Sequence, residues 1–108
     1  MTLLYHSRCF LDHETGSHPE CPQRLRAIDE MLQSQGLIDA CQSPEWTPPE
    51  ASVLARCHTP GHLELLSAVA ERGGGSLDPD TVVSPQSADV ARLAAGAVTD
   101  AVARVLAG

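Results

Sequence analysis

The first residues that could do chemistry lie in a polar loop near the start of the chain. Three histidines and two cysteines occur there in the order H-x2-C-x3-H-x4-H-x2-C: His6, Cys9, His13, His18 and Cys21. All five side chains are of types that bind zinc, but structural zinc sites usually pair their ligands as C-x2-C or H-x3-5-H. Two interpretations stay open. The His6–Cys21 loop could be a small structural zinc module, or its residues could have separate hydrogen-bonding roles. The spacing favours the second interpretation.

Two charged residues stand where they could contact a ligand. Arg24 lies at the edge of an apolar helical stripe, so its guanidinium either extends to solvent or meets a buried anion or carbonyl. Asp78 and Asp80 flank Pro79. Asp-Pro is common in turns, which accounts for Asp78. Asp80 precedes a β-rich stretch and a helix start, where its carboxylate could project into a cleft and accept N–H groups from a peptide or amide.

Other catalytic signatures are not found in the sequence. Gly73-Gly74-Gly75 is not followed by the Lys-Ser/Thr of a phosphate-binding loop, and no Gly-x-Ser-x-Gly stretch occurs. His58 and His62 are four residues apart, but Thr59-Pro60 interrupts any helix between them, so they need not share a face. We therefore predict no catalytic residue and no metal ligand within this chain.

The elements that would position these residues are mainly helices. We predict a short strand at residues 2–5 and irregular backbone from His6 to Cys21. Pro22 begins a helix that Gly36 ends, with a brief continuation at 37–41. A second short strand is expected at residues 43–46.

Later in the chain, three Ser/Thr-Pro or capping signals indicate helix starts. Thr47 and Glu50 fit a capping box, which predicts a two-turn helix reaching Cys57. Thr59-Pro60 predicts a helix over 60–72, ended by the three glycines. Residues 76–83 are expected to form a loop, and Ser84-Pro85 to start a final helix running towards Gly108.

The final helix has a wide apolar stripe and a run of small residues, Ala94–Ala97, that would permit close packing on a neighbour. Four shorter helices and two short strands do not require so much apolar surface. We therefore expect a sheet layer supplied by sequence beyond Gly108.

Composition excludes several classes of function. The net charge is −7, lysine is lacking, and the seven arginines are scattered. Because binding to phosphates needs clustered positive charge, direct binding of nucleic acid is not expected. No apolar run could span a membrane and no secretion signal occurs, so we expect a cytoplasmic protein with four free thiols.

Three segments in this order resemble the histone deacetylase and acetoin-utilisation deacetylase family, in particular its bacterial and class II members. The first is HETGSHPECPQRL, residues 13–25. The second is RCHTP, residues 56–60, followed by a helix. The third is LDPDTVVSPQS, residues 77–87, followed by an Ala-Ala-Gly-Ala helix. The resemblance extends over essentially the whole chain, with these segments as its most specific parts.

The resemblance implies an α/β fold, the arginase/deacetylase-like three-layer domain with a parallel sheet. Residues 1–108 would be an incomplete amino-terminal segment of one such domain, mostly helical by itself. The family uses zinc, held by an Asp-x-His pair and a second Asp, and a His-His pair for proton transfer, all after the last residue of this chain. The whole protein would hydrolyse acetyl-lysine in proteins or small acetyl-amides, and the chain alone would be inactive.

Residue by residue, the resemblance implies the following roles. Asp80 would bind the backbone amide of the substrate, and Arg24 would line an internal channel linked to acetate release. His13, His18 and Glu20 would belong to the loop at the pocket rim. The sequence departs from the family pattern at two positions: Gln86 replaces a glycine, and His62 stands where an aromatic residue is common. A non-enzymatic helical interaction module, with the last helix docking a partner, is the alternative.

Overall fold

The computed structural model describes residues Met1–Gly108, and most of its regular structure is helical. A 3₁₀ helix (Arg8–Asp12) precedes five α-helices: α1 (Pro22–Ser34), α2 (Leu37–Ala40), α3 (Ala51–Leu54), α4 (Pro60–Glu71) and α5 (Ser87–Ala107). Strands β1 (Gly75–Asp78) and β2 (Thr81–Val83) lie between α4 and α5 and form an antiparallel hairpin.

Helices α1 and α4 begin where the sequence predicted and end within two residues of the predicted position, whereas α5 begins at Ser87, after the predicted start at Ser84-Pro85. Pro22 occupies the first turn of α1, where its missing N–H costs nothing. Gly36 follows that helix in the left-handed region, at φ 67°. At the start of α4, the Thr59 hydroxyl accepts the main-chain N–H of His62 at 3.2 Å. These local signals are sufficient because each helix also has an apolar side to bury.

The capping-box prediction at Thr47 is wrong. Helix α3 is a single turn beginning after Glu50, whose side chain makes no capping hydrogen bond. A proline disfavours helical backbone in the residue before it, so Pro48 and Pro49 disfavour helical backbone at Thr47 and Pro48. Residues 43–50 are irregular backbone, and the strand predicted at 43–46 is not formed.

The prediction of a loop over residues 76–83 is also wrong. Gly75 pairs with Val83 and Ser76 with Val82, and a bulge separates Ser76 from Asp78. Pro79 and Asp80 form the two-residue turn. Both strands are too short for their alternation to stand out in the sequence, which is why the pairing was missed.

The start of the chain differs from the prediction in two ways. Residues 2–5 make only an isolated parallel bridge, between Leu3 and Gln42, rather than a strand. The loop over residues 6–21 contains the 3₁₀ helix, because the Ser7 hydroxyl accepts the N–H of Cys9 and starts a turn there.

The core is small and aliphatic. It lies where α4 and the start of α5 meet the hairpin, and consists of Val69, Ala70, Val83 and Ala88, with Leu66 and Leu77 packed against it. The three aromatic residues form a second cluster: Tyr5 and Trp46 meet edge to face at 5.3 Å, and Phe10 stacks on Trp46 at 6.1 Å.

Helix α5 connects the two clusters. The Trp46 indole N–H donates to the Leu93 carbonyl at 2.9 Å. A Cβ at Gly96 would lie 2.3 Å from the Thr47 carbonyl oxygen. The small residues of α5 were predicted to permit close packing on a neighbour, and this is confirmed: Gly96 packs closely on the main chain of Thr47 and Pro48. No helix combines the length and apolar character that crossing a bilayer requires.

Candidate functional site

Four of the five residues singled out in the sequence line one cleft of about 450 Å³. His13, His18 and Glu20 come from the loop before α1, and Asp80 comes from the hairpin turn. The apolar wall of the cleft includes Leu66 of α4 and Leu77 of β1. The fold thus brings together residues that are more than 60 positions apart in the chain.

The hairpin turn is held by Asp78. Its carboxylate accepts the main-chain N–H of Asp80 at 2.8 Å and the hydroxyl of Thr81 at 3.0 Å. These two donors, the Asp80 N–H first, lower the pKa of Asp78 because they stabilise its ionised form. The interpretation of Asp78 as a turn residue is confirmed, and its role is to present Asp80 at the tip.

Asp80 is bound to the rim loop through His18. The Nε2 atom of His18 lies 2.8 Å from Oδ1 of Asp80, and the main-chain N–H of Glu20 donates to Nδ1 of His18 at 3.0 Å. A ring nitrogen that accepts an N–H carries no proton, so the proton of the neutral ring is on Nε2 and is donated to Asp80. The hydroxyl of Thr15 donates to the Glu20 carbonyl and holds the same loop.

His13 is held by two buried serines at the start of α5. Its Nδ1 lies 2.7 Å from the Ser87 hydroxyl, which also accepts the main-chain N–H of Ser84 at 2.7 Å and lies 2.8 Å from the Ser84 hydroxyl. The Ser84 hydroxyl donates to the Asp12 carbonyl and accepts the N–H of Glu14, both at 3.1 Å. Only the Ser84-Pro85 helix start was predicted from the sequence; the hydrogen-bond network itself was not.

One arrangement of protons satisfies all five of these contacts. Ser84 has a single hydroxyl proton, which goes to the Asp12 carbonyl, so Ser87 donates to Ser84 and Nδ1–H of His13 donates to Ser87. Nε2 of His13 has no partner in the chain. No buried side-chain nitrogen or oxygen lacks a partner, so this atom is open to solvent.

Arg24 lies beside this cleft rather than in it. Its guanidinium pairs with Glu20 at 3.2 Å and its side chain is 53% exposed. It lines a neighbouring cleft of about 520 Å³ together with Tyr5, Phe10 and Leu25. His13 and Glu20 line both clefts, so they form the ridge between them.

His62 is a cleft residue that the sequence interpretation did not assign. It lines the cleft opposite the rim loop, and its ring stacks on that of His58 with centroids 5.0 Å apart. The sequence left open whether these two histidines share a face, and the stacking of their rings brings them together across Thr59-Pro60.

The chain does not assemble a metal-binding group. No three His, Cys, Asp or Glu side chains are grouped so that they could hold a metal ion. The five candidate ligands of the His6–Cys21 loop do not converge, and all four cysteines are free thiols.

Comparison with known proteins identifies the family. The model of the histone deacetylase domain matches residues 18–108. A histone deacetylase-like amidohydrolase from Pseudomonas aeruginosa is 36% identical over 84% of the chain, and a probable deacetylase from Methanothermobacter thermautotrophicus is 36% identical over 87% of it. An uncharacterized protein from Synechocystis is 45% identical over 98% of the chain.

The fold agrees with these matches. The crystal structure of the HDA15 HD domain superposes with a TM-score of 0.80 at 27% identity, over 89% of this chain. The chain belongs to the histone deacetylase family and has part of the arginase/deacetylase-like fold, as the sequence motifs predicted. It spans 24% of the length of the Pseudomonas protein, 28% of the Methanothermobacter protein and 36% of the Synechocystis protein, and 29% of the HDA15 chain.

Proposed function

We propose that residues 1–108 are the amino-terminal segment of a single deacetylase domain, and that the complete protein hydrolyses acetyl-lysine or a related acetyl-amide. This segment builds the rim of the substrate pocket, and by itself it is inactive. The observation that carries the proposal is the convergence of His13, His18, Glu20 and Asp80 on one cleft, in a chain that belongs to the family.

Asp80 is the proposed substrate-binding residue. Its side chain is 92% exposed, and its Oδ1 is occupied by His18 while Oδ2 has no partner. A carboxylate oxygen is a strong acceptor for an amide N–H. The free oxygen at the tip of a fixed turn is suited to hold the main-chain N–H of an acetylated peptide beside the cleft.

The residues present do not fit the zinc that the family resemblance implies, since no group of three suitable ligands occurs among them. We propose that the zinc ligands belong to the rest of the domain. The part played by this chain is limited to binding and orienting the substrate, and no step of the reaction is assigned to its side chains.

Arg24 is proposed to line an internal channel, as in the family. Support comes from its position on a cleft that shares His13 and Glu20 with the candidate substrate cleft. A cytoplasmic location is likewise proposed, and four free thiols fit a reducing compartment.

The role of Asp80 is tested in the complete protein with the substitution Asp80→Ala. Loss of one charge-assisted hydrogen bond is expected to raise KM for an acetyl-lysine peptide about tenfold or more, with a small change in kcat. In the same assay, Arg24→Gln is expected to lower kcat rather than raise KM.

The matched control for Asp80→Ala is Asp89→Ala. Asp89 is 87% exposed in the first turn of α5 and outside the cleft, so its loss should leave both constants near those of the unmodified protein. Equal kinetics for the two variants would show that Asp80 does not bind the substrate.

A further inference from the structure

The Asp80 carboxylate has a single side-chain partner in the chain, and that partner is His18. An exposed aspartate ordinarily samples several rotamers, so its carboxylate has no fixed direction. The main-chain bond from Asp80 to Asp78 fixes the turn but leaves the side chain free to rotate. The contact with His18, from a loop 62 residues earlier, is what fixes Oδ1.

His18 is itself held in one orientation and one tautomer. Its side chain is only 20% exposed, and the Glu20 N–H approaches Nδ1 and so puts the ring proton on Nε2. The carbonyl of the same residue, Glu20, accepts the Thr15 hydroxyl, and Thr15 is buried. The loop thus fixes the direction of the Nε2–H bond before any substrate arrives.

We propose that His18 is a positioning residue for Asp80: its Nε2–H holds Oδ1 so that Oδ2 is available to the amide N–H of the substrate. This inference rests on the proposed function of Asp80 and extends it. If His18 only linked the loop to the hairpin, contact between the two segments would be sufficient. A positioning role requires the directed N–H donor, so variants that remove or retain this donor distinguish the two roles.

The experiment uses four variants of the complete protein: His18→Leu, His18→Gln, Asp80→Ala and the double variant His18→Leu/Asp80→Ala. Leucine removes the donor, so KM for an acetyl-lysine peptide is expected to rise about three- to tenfold with kcat nearly unchanged. Glutamine retains an N–H donor on a side chain of similar reach, so it is expected to restore most of the lost affinity. In the Asp80→Ala background, His18→Leu should add little.

His58→Leu is the control for loss of an exposed histidine that makes no hydrogen bond to Asp80, and its KM should be unchanged. An unchanged KM in His18→Leu, together with a raised KM in Asp80→Ala, would overturn the positioning role and leave the function of Asp80 intact. Additive effects in the double variant, or failure of glutamine to restore binding, would also contradict it.

A second measurement does not depend on activity or on the identity of the substrate. Crystal structures of the complete protein and of its His18→Leu variant should show one Asp80 rotamer in the first and a rotated or disordered carboxylate in the second. An identical, ordered Asp80 in both would overturn the inference, even if no acetylated substrate were hydrolysed.

Discussion

At the scale of single residues, the two rim histidines differ in which nitrogen carries the proton. His13 donates through Nδ1 to Ser87, and His18 donates through Nε2 to Asp80. The spacing of the loop could not reveal this difference, because it depends on a serine 74 residues away and on the main-chain N–H of Glu20. The rim residues themselves were named through the family resemblance, whereas their roles require the three-dimensional contacts.

Ser87 is the junction of the buried network, which leads to the first prediction at this scale. Ser87→Ala would leave the main-chain N–H of buried Ser84 and Nδ1–H of His13 without their acceptor. We expect the free energy of unfolding of the complete protein to fall by about 1–3 kcal/mol. Denaturant unfolding measures this loss, with Ser52→Ala, an exposed serine, as the control. Equal stability of the two variants would show that the network contributes nothing.

At the scale of elements, prediction succeeded where one local signal determines the structure. Pro22, Thr59 and Gly36 act within their own turn, so their effect can be read from the sequence. The hairpin was missed because its strands are too short to show alternation, and the extent of α3 was wrong because Pro48 and Pro49 override the capping signal at Thr47. The start of α5 is intermediate: Ser84 was identified, but the helix begins at Ser87 and the two serines bond each other.

Helix α5 is also joined to the start of the chain by a hydrogen bond from Tyr5 to the Asp100 carboxylate. Asp100 accepts the Tyr5 hydroxyl and the Arg104 guanidinium, each at 2.6 Å. The Tyr5 hydroxyl first, and then Arg104, lower the pKa of Asp100. Since the pKa is depressed in the folded state, this contact supports folding above the ordinary aspartate value of about 3.9 and is lost as the pH falls below it.

Gly96 provides the prediction at this scale. Alanine is ordinarily better than glycine inside a helix, yet a Cβ here would meet the Thr47 carbonyl oxygen at 2.3 Å and Pro48 Cα at 3.1 Å. Because main chain cannot move aside easily, Gly96→Ala is expected to destabilise the complete protein by about 1–3 kcal/mol.

Gly61→Ala is the matched control in helix α4, since a Cβ there has nothing within 4 Å. It should leave the stability unchanged or raise it by about 0.4–1 kcal/mol. Thermal unfolding of the two variants compares them directly. A stabilising effect of both substitutions would mean that α5 does not pack on residues 47–48 as described.

At the scale of the whole molecule, the chain is flat, with extents of 40 × 34 × 18 Å. Only 10 of its 108 residues are buried, and α5 exposes large apolar side chains: Val98, Val102, Val105 and Leu106. The proposed function accounts for this surface, because the sheet of the complete domain would cover it.

The fold class could be predicted from the sequence because the ordered motifs identified the family. The described residues do not form the parallel sheet of that family. Their only strand pairings are one parallel bridge and one antiparallel hairpin. A partner protein seated on α5, as in the interaction-module alternative, would cover the same apolar side chains. Activity, rather than architecture, distinguishes the two.

The most direct test is therefore acetate release from an acetyl-lysine peptide by the complete protein and by residues 1–108 alone. We predict release by the complete protein that a metal chelator abolishes, and none by the 108 residues, which hold no group of metal ligands. Chelator-sensitive release by the 108 residues alone, or none by the complete protein across acetylated peptides and small acetyl-amides, would contradict it.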